Sequence, residues 1–181
     1  MRIFALAISV GLAASAHLAA SGGKEAFIFP RIARYGGIAA LPDAAEQPRA
    51  GAKAVFDITV ASEPQEVSKG LESVARYLNL HAQAGRTPSE VKLALVLHGQ
   101  ATKVALQDEA YARITGAKHN PNRELLGMLK EAGVEVYVCG QSLARNKYPA
   151  SDVTPEVTVA VSAMTVNVNK QMDGYAYLAV H

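Results

Sequence analysis

Residues 91–99 read VKLALVLHG, and this stretch decides the fold. Its residues 93–97 are all apolar, so a strand formed here is apolar on both of its faces. A strand buried on both faces belongs inside a parallel sheet that is covered by helices. The stretch therefore predicts a parallel sheet at the centre of the domain.

Strands and helices alternate on both sides of this stretch. Upstream, residues 52–60 (AKAVFDITV) alternate and are rich in β-branched residues, which predicts a strand. A helix over 65–84 follows, with apolar residues at helical spacing between Pro64 and Gly85. Downstream, the patterns predict helices over 102–114 and 121–132, a strand over 134–139, a short helical turn from Gln141, a strand over 156–161, a helix over 163–172 and a last strand over 175–180. This order predicts an α/β domain whose mainly parallel sheet has about five strands, with right-handed crossovers. Asn120 is the predicted N-cap of the helix over 121–132, with Pro121 in its first position.

The first 20 residues have the layout of a signal peptide. Arg2 precedes an apolar run over 3–14, and residues 14–16 (ASA) fit the small-x-small cleavage rule, with a cut near Ala20 as the alternative. The run is shorter than the roughly 20 apolar residues that a membrane-spanning helix needs. We therefore expect residues 1–20 to be removed and the mature chain to be periplasmic or secreted, without a membrane span. A retained N-terminal anchor is the competing interpretation.

Residues 21–51 are rich in Gly, Pro and Ala and show no sustained period, which predicts an irregular N-terminal arm. Apolar residues such as Phe27, Phe29 and Ile38 are unfavourable in a free tail, so we expect the arm to pack on the domain or on a neighbouring subunit. Disorder is the alternative. Residues 52–181 are then one α/β domain, a length that supports a single core.

The charge of the chain argues against one class of partner. Its 18 Lys and Arg residues against 16 Asp and Glu residues give a net charge of +2, and Arg2 is lost with the signal peptide. The charges are interspersed and aromatic residues are sparse, so the basic surface of a nucleic-acid-binding protein is missing. We predict no nucleic-acid partner.

Two chemically active side chains lie at the carboxyl ends of predicted strands. His98 follows the strand that begins at residue 91, and Cys139, the only cysteine of the chain, ends VEVYVC. Ligands of open α/β sheets bind outside these strand ends. If the two strands are neighbours, His98 and Cys139 line one crevice.

Cys139 has neighbours that favour a reactive thiol. Gly140 permits a tight turn and a close approach to the sulfur, and a short helix is predicted directly after it. Backbone N–H groups at the start of a helix stabilise an anion, so we expect the thiol pKa to lie below its ordinary value of about 8.5. The alternative is that Cys139 is a small buried residue that ends a core strand.

We predict no metal and no cofactor. No His has metal-ligand spacing with Cys139 or with a carboxylate, and the chain lacks GxGxxG after its first strand, a Walker loop and GxSxG. His98 is either a hydrogen-bonded structural residue or, close to Cys139, a source of a proton or a positive charge. Asp57, within AVFDITV, could line the same crevice or cap a loop, and we expect the loop cap.

Three segments together resemble a known family. They are LVLHGQAT (95–102), NPNRELLGMLKEAGVEVYVCGQSL (120–143) and VTVAVSAMTVNVNKQMDGYAYL (157–178), and the arm adds YGGIAALPDAAEQP (35–48). Their order and spacing are similar to the DsrE/DsrF-like superfamily, in particular its exported branch, from about Lys53 to the C-terminus. The resemblance implies a flavodoxin-like or Rossmann-like fold with helices on both faces of the sheet. It also implies a homo-oligomer, a trimer or hexamer as in the YchN-like relatives.

The resemblance also implies a role for the cysteine. Cys139 matches the position that carries persulfide sulfur in the sulfur-relay members, where a thiolate accepts sulfane sulfur from a donor protein and passes it on. It is the only residue to which we carry a catalytic role. Further residues are placed around the site without an assigned step, namely His98, Gly99, Asn120 and Gln141, which match recurring residues of the family, and Gly140.

Two hypotheses about function remain open. The relay members that are well understood are cytoplasmic and work with dedicated partners, whereas this chain carries a predicted signal peptide and no visible partner module. In the first hypothesis, the protein is an exported sulfur-handling or thiol redox protein, with possible sulfurtransferase-like activity, whose Cys139 cycles through a persulfide or mixed disulfide and meets a sulfur donor or acceptor. In the second, it is a noncatalytic oligomeric module that binds a small ligand, and Cys139 is only part of the wall.

Overall fold

The computed structural model of the protein describes residues 27–180. The predicted signal peptide, residues 1–20, lies outside the described residues and stays a prediction. So do the first six residues of the predicted arm, 21–26, and the last residue of the chain.

The described part of the chain contains one five-stranded sheet. Its strands are β1 (Ala52–Ile58), β2 (Val91–Leu97), β3 (Glu135–Cys139), β4 (Thr158–Ala160) and β5 (Ala176–Val180). They lie in the order β4-β3-β2-β1-β5, and every neighbouring pair is parallel. The predicted α/β fold with a parallel sheet of about five strands is therefore confirmed.

Helices cover both faces of this sheet. They are α1 (Lys69–Gln83), α2 (Asp108–Thr115), α3 (Arg123–Glu131), α4 (Gly140–Asn146) and α5 (Ala163–Met172), and short 3₁₀ turns span Pro88–Glu90, Gly99–Ala105 and Ala150–Asp152. Buried residues of α1 to α4 belong to one apolar cluster with strand residues such as Phe56 and Leu95, whereas α5 packs in a second cluster with Val55 and Val96. We call these the large-core face and the α5 face.

The order of the strands creates a crevice at one place. From β1 to β4 the chain steps in one direction across the sheet, and the connecting helices pack on the large-core face. From β4 it returns through α5, on the opposite face, to the far edge beside β1. The chain therefore leaves β3 and β4, which are neighbours, toward opposite faces, and such a switch point is where open α/β sheets bind ligands.

Several helix boundaries differ from the sequence prediction. The predicted helix over 102–114 is split, because the backbone around Leu106 pairs with Val153 and the Gln107 N–H donates to the Asp152 carbonyl at 2.8 Å. Helix α3 begins at Arg123, so Asn120 is not its N-cap. The Asn120 amide instead donates to carbonyl groups of the preceding 3₁₀ turn and its end.

The described part of the arm packs on α1. The backbones of Ile28 and Ile38 pair as an antiparallel bridge, with N···O distances of 2.9 and 3.0 Å, which closes the segment into a loop. The side chain of Asn79, fully buried in α1, accepts hydrogen bonds from the N–H groups of Arg31 and Ile32. It also donates to carbonyl groups of the loop, at Ile32, Tyr35 and Gly36. Residues 27–38 are thereby held against the domain.

Candidate functional site

Cys139 lies at the switch point between β3 and β4. It is the last residue of β3, pairs with Ala160 of β4 and is also the N-cap of α4. Its side chain belongs to the apolar cluster of the α5 face, with Val96 and Ala163 among its members, and the residue is only 5 % exposed. The thiol therefore sits between the starts of two helices that cover opposite faces of the sheet.

Hydrogen-bond donors from both helices converge on the Cys139 sulfur. The backbone N–H of Ser142 donates to Sγ at 3.4 Å, and the N–H groups of Gln141 in α4 and Ala163 in α5 face the same atom, as does the Ser142 hydroxyl. Each helix start is fixed, since Cys139 itself caps α4 and Ser162 caps α5. The arrangement is suited to a negative charge on sulfur.

These contacts shift the pKa of the thiol. Burial alone raises the pKa of Cys139, because it disfavours the charged form. The hydrogen bonds from Ser142, Ala163 and Gln141 stabilise the thiolate and outweigh burial, so the pKa lies below its ordinary value. The direction agrees with the expectation from the sequence, and its cause is a set of donors from two helices instead of one.

Ser142 links the thiol to the turn that follows β2. Its hydroxyl accepts the N–H of Gly99 at 3.4 Å while facing the sulfur of Cys139. Gly99 has a positive φ of 57°, and a Cβ there would lie 3.2 Å from the carbonyl oxygen of Thr59, so a side chain would strain this turn. Gly99 thus holds the Ser142 hydroxyl beside the sulfur.

Gly140 has a different role from the one that the sequence suggested. The sequence predicted a tight turn and a close approach to the sulfur, but Gly140 is the first helical residue of α4 and is not among the residues with positive φ. A Cβ at Gly140 would lie 2.8 Å from the carbonyl oxygen of Ala160. The close approach is therefore that of α4 to the backbone of β4.

His98 forms a polar cluster with residues of two other strands. Its Nε2 is 2.7 Å from Oδ1 of Asp57, and the hydroxyl of Tyr177 donates to Oδ2 of Asp57 at 2.6 Å. The expectation that Asp57 caps a loop is wrong. It is a nearly buried residue of β1, 8 % exposed, and it joins the end of β2 to β5.

His98 and Cys139 follow neighbouring strands at the same level. Strands β2 and β3 pair as far as Leu97 and Val138, and His98 and Cys139 are the next residues of the two chains. Side chains two residues apart share a face of a strand, so both belong to the α5 face, where Val96 and Tyr137 are paired. Neighbouring strands are about 4.8 Å apart, which makes the two residues neighbours at the carboxyl edge.

The remaining residues predicted for the site are in different places. Gln141 contributes its backbone N–H to the sulfur, while its side chain is exposed. Asn120 is buried elsewhere, with hydrogen bonds to Val104, Leu106 and Asn122 and none to Cys139. Three groups that carry the geometry were not found from the sequence: Ser142, the N–H of Ala163, and Tyr177. The Ser two residues after the Gly that follows the strand is a signal that could have indicated the first of these.

Other grooves within residues 27–180 lack a nucleophile comparable to the Cys139 thiolate. One groove, about 600 Å³, lies between the arm and α1, lined by residues such as Leu41, Leu80 and His81. A smaller one of about 390 Å³ opens beside Gly99 and Tyr148. Over residues 27–180 there is no group of three or more His, Cys, Asp or Glu that could hold a metal ion. No helix in that range has the length and apolar character to cross a membrane.

A similar solved structure agrees with the fold. A protein of unknown function from Methanobacterium thermoautotrophicum, MTH1491, has a similar structure, with a TM-score of 0.53 and 21% identity over 71% of this chain and 99% of that one. The YchN protein of E. coli is similar at a TM-score of 0.46 and 13% identity, over 71% of this chain and 99% of that one. No curated protein matches the chain. The family model described as "DsrE/DsrF-like family" matches residues 53–180, and the chain therefore belongs to the DsrE/DsrF-like family.

Proposed function

We propose that the protein handles sulfur through the thiolate of Cys139, which carries a persulfide or enters a mixed disulfide. The observation that carries the proposal is the convergence of donors from Gln141, Ser142 and Ala163 on one sulfur at the switch point. These donors lower the pKa of a nearly buried thiol, although burial by itself would raise it. A thiolate, not a thiol, is the nucleophile in sulfur chemistry.

The proposed reaction needs no metal, oxidant or cofactor. The Cys139 thiolate attacks the outer sulfur of a donor persulfide, R–S–SH, and forms Cys139–S–SH. The sulfur–sulfur bond of the donor breaks, and its electron pair leaves on R–S⁻. A second thiolate then attacks the outer sulfur of Cys139–S–SH and releases the Cys139 thiolate.

One observation favours the alternative function, a noncatalytic ligand-binding module. Cys139 is only 5 % exposed and packs against Ala163 and Val166 of α5. A sulfur that acts only as part of a crevice wall would be placed in the same way. Reactivity in the folded state separates the two functions.

The test is the pH dependence of Cys139 alkylation in folded protein that lacks residues 1–20, followed by intact mass. We expect fast labelling with a midpoint below about 8.5, and a gain of one sulfur atom after exposure to polysulfide. Cys139→Ser is the blank. In Ser142→Ala, the lost hydroxyl donor moves the midpoint to higher pH, whereas Ser151→Ala, on the exposed turn Ala150–Asp152, leaves it unchanged. A thiol that labels only after unfolding would rule out the sulfur carrier and leave the ligand-binding module.

We also propose that the protein is a homo-oligomer that associates through the outer side of α5. Met164, Val168 and Met172 recur every four residues along this helix and are 76, 54 and 81 % exposed, and Val161 before it is 73 % exposed. An apolar stripe of this kind marks an interaction surface. Light scattering on wild type and Val168→Glu tests this. We expect a trimer or hexamer that dissociates in the variant, and a monomeric wild type would overturn it.

Export is a further proposal, supported by the layout of residues 1–20. Fractionation of bacterial cells that express the full chain tests it. We expect the protein outside the cytoplasm, shortened at a site between residues 16 and 21. Full-length protein in the cytoplasm would contradict export.

A further inference from the structure

We propose that Asp57 and Tyr177 hold His98 in a single tautomer, so that its Nδ1 exchanges protons with the thiols that deliver sulfur to Cys139 and take it away. The inference rests on the proposed function, because the sulfur carried by Cys139 supplies the reaction. Asp57 and Tyr177 act as positioning residues, and His98 is the group that meets the reacting molecule.

Burial of the Asp57 carboxylate is unfavourable unless hydrogen bonds compensate for the lost hydration. It is 8 % exposed and lies among the apolar residues of β1, between Phe56 and Ile58. A carboxylate in such a place must be hydrogen-bonded to be tolerated. Each of its oxygens has one short partner, Nε2 of His98 at 2.7 Å and the hydroxyl of Tyr177 at 2.6 Å.

These two bonds fix the protons of the cluster. An ionised carboxylate only accepts hydrogen bonds, so Nε2 of His98 and the hydroxyl of Tyr177 must both be donors. The hydrogen bond to Asp57 raises the pKa of Tyr177, which keeps its hydroxyl protonated. With the proton of neutral His98 on Nε2, the lone pair is on Nδ1.

Nδ1 of His98 is the group that remains available. It makes no hydrogen bond to any of the described residues, and the His98 side chain is 26 % exposed. His98 and Cys139 also each follow the last residue pair of β2 and β3, Leu97 and Val138. An imidazole oriented by a buried carboxylate beside a thiolate has the arrangement of a proton-transfer group in nucleophilic catalysis.

The titratable groups around His98 come from three strands. Asp57 comes from β1, Tyr177 from β5 and Cys139 from β3. The only charged residue of α5 is Lys170, which pairs with Glu135 at the opposite end of β3. Asp57 is therefore the titratable group that contacts His98 directly, and Tyr177 is linked to His98 through Asp57.

The proton balance gives His98 a role in both halves of the transfer. When the Cys139 thiolate takes the outer sulfur of R–S–SH, protonated His98 gives the proton of Nδ1 to the departing R–S⁻, which leaves as R–SH. When an acceptor thiol arrives, neutral His98 removes its proton at Nδ1, and the resulting thiolate attacks Cys139–S–SH. The Asp57 carboxylate stabilises the imidazolium, which is present before the first half and again after the second.

The experiment measures sulfur transfer from glutathione persulfide to Cys139 by intact mass, between pH 5 and 9. In parallel, long-range proton–nitrogen correlation spectra give the tautomer of His98, assigned with His98→Gln. The variants are Asp57→Asn and Tyr177→Phe. The matched control is Tyr175→Phe, which removes a tyrosine hydroxyl that binds Glu135 at the other end of the α5 face.

We expect the Nε2–H tautomer in wild type and its loss in Asp57→Asn. Transfer near pH 7 falls tenfold or more in Asp57→Asn, because loss of orientation removes part of the roughly 10²–10⁴-fold that general acid–base catalysis contributes, and the acid limb of the pH profile moves. Tyr177→Phe has a smaller effect in the same direction, and Tyr175→Phe has none. If Asp57→Asn does not fold, Tyr177→Phe and the wild-type tautomer decide.

Three results would overturn the inference, and they differ in what they say about Cys139. An Nδ1–H tautomer in wild type, or an unchanged rate and pH profile in Asp57→Asn and Tyr177→Phe, overturns the inference while the role of Cys139 stands. Absence of any transfer to wild-type Cys139 overturns the proposed function, and the inference fails with it.

Discussion

The two faces of the sheet divide stability from chemistry. On the large-core face, every strand side chain that packs against α1 to α4 is apolar, and most are fully buried. On the α5 face, the buried apolar cluster is small, and a single helix covers it. All titratable side chains of the strands point to this second face, namely Lys53, Asp57, Lys92, Glu135, Tyr137, Cys139 and Tyr177.

Strand geometry explains this division. Side chains alternate between the two faces, and paired residues of parallel strands share a face, so one register assigns all titratable groups together. A one-residue shift would move them into the large core and expose the apolar residues. The register that builds the core is therefore also the one that assembles the candidate site.

The largest expected effect compares one core residue from each face. Leu126→Ala removes a fully buried side chain of the large core and should cost about 2–5 kcal/mol of the free energy of unfolding. Val166→Ala, on the buried side of α5, should cost only about 1–2 kcal/mol, since fewer methyl groups are removed from a thinner layer. Urea unfolding followed by circular dichroism measures both. Equal losses at the two positions would contradict the division.

The next effect concerns two helical glycines. Gly140→Ala places a Cβ 2.8 Å from the Ala160 carbonyl oxygen, so β4 or α4 must shift, at about 1–3 kcal/mol. The control is Gly127→Ala in α3, where a Cβ meets nothing within 4 Å, and helix propensity should stabilise the protein by about 0.5–1 kcal/mol. Thermal unfolding of both variants checks the opposite signs. Gly140→Ala should also change the alkylation rate of Cys139. An unchanged rate would show that the packing of α4 against β4 does not affect the reactivity of the thiol.

The smallest expected effect is a pH dependence of stability that arises at Glu135, the first residue of β3. Burial raises the pKa of Glu135, but hydrogen bonds from Lys170 and Tyr137 outweigh it, so the pKa lies below its ordinary value. A lowered pKa contributes stability above the unfolded value of about 4.3, and the contribution is lost as the pH falls through the lower folded value.

We therefore expect Glu135→Gln to be less stable than wild type at pH 7, by under about 1 kcal/mol because the carboxylate is partly exposed. The difference should shrink toward pH 3. Melting temperatures of the two proteins across this range provide the measurement. A difference that does not change with pH would show that packing, and not charge, is what the substitution removes.

The sequence predicted elements whose pattern is local. The strand around Leu95 was recognised from its continuous apolar run, and α5 was predicted with the bounds that it has, Ala163–Met172. Boundaries failed where distant residues intervene. Helix α1 begins at Lys69, later than predicted, because the side chain of Asn122 accepts the N–H of its cap residue Ser68 at 2.7 Å.

The candidate site was predictable only in part, for a related reason. Cys139 and His98 were found because each follows a recognisable strand. Asp57 was misjudged because its partners are His98 and Tyr177, and Tyr177 is 120 residues away in a strand whose place beside β1 no local pattern indicates. The pairing of β1 with β5 brings Tyr177 beside Asp57, and this pairing makes Asp57 part of the site instead of a loop cap.

The attachment of the arm to Asn79 has a consequence for evolution and engineering. The hydrogen bonds between Asn79 and the arm involve only main-chain atoms of the arm, so most side chains there can vary without loss of these bonds. The exceptions are Ile32 and Ile38, which are buried, and Gly36, where a Cβ would collide with the backbone of α1. Exposed positions of the arm, apart from Arg34 with its ion pair to Glu124, are thus open to sequence drift between relatives. They are suitable places for a fluorophore or an affinity tag that leaves the sheet undisturbed.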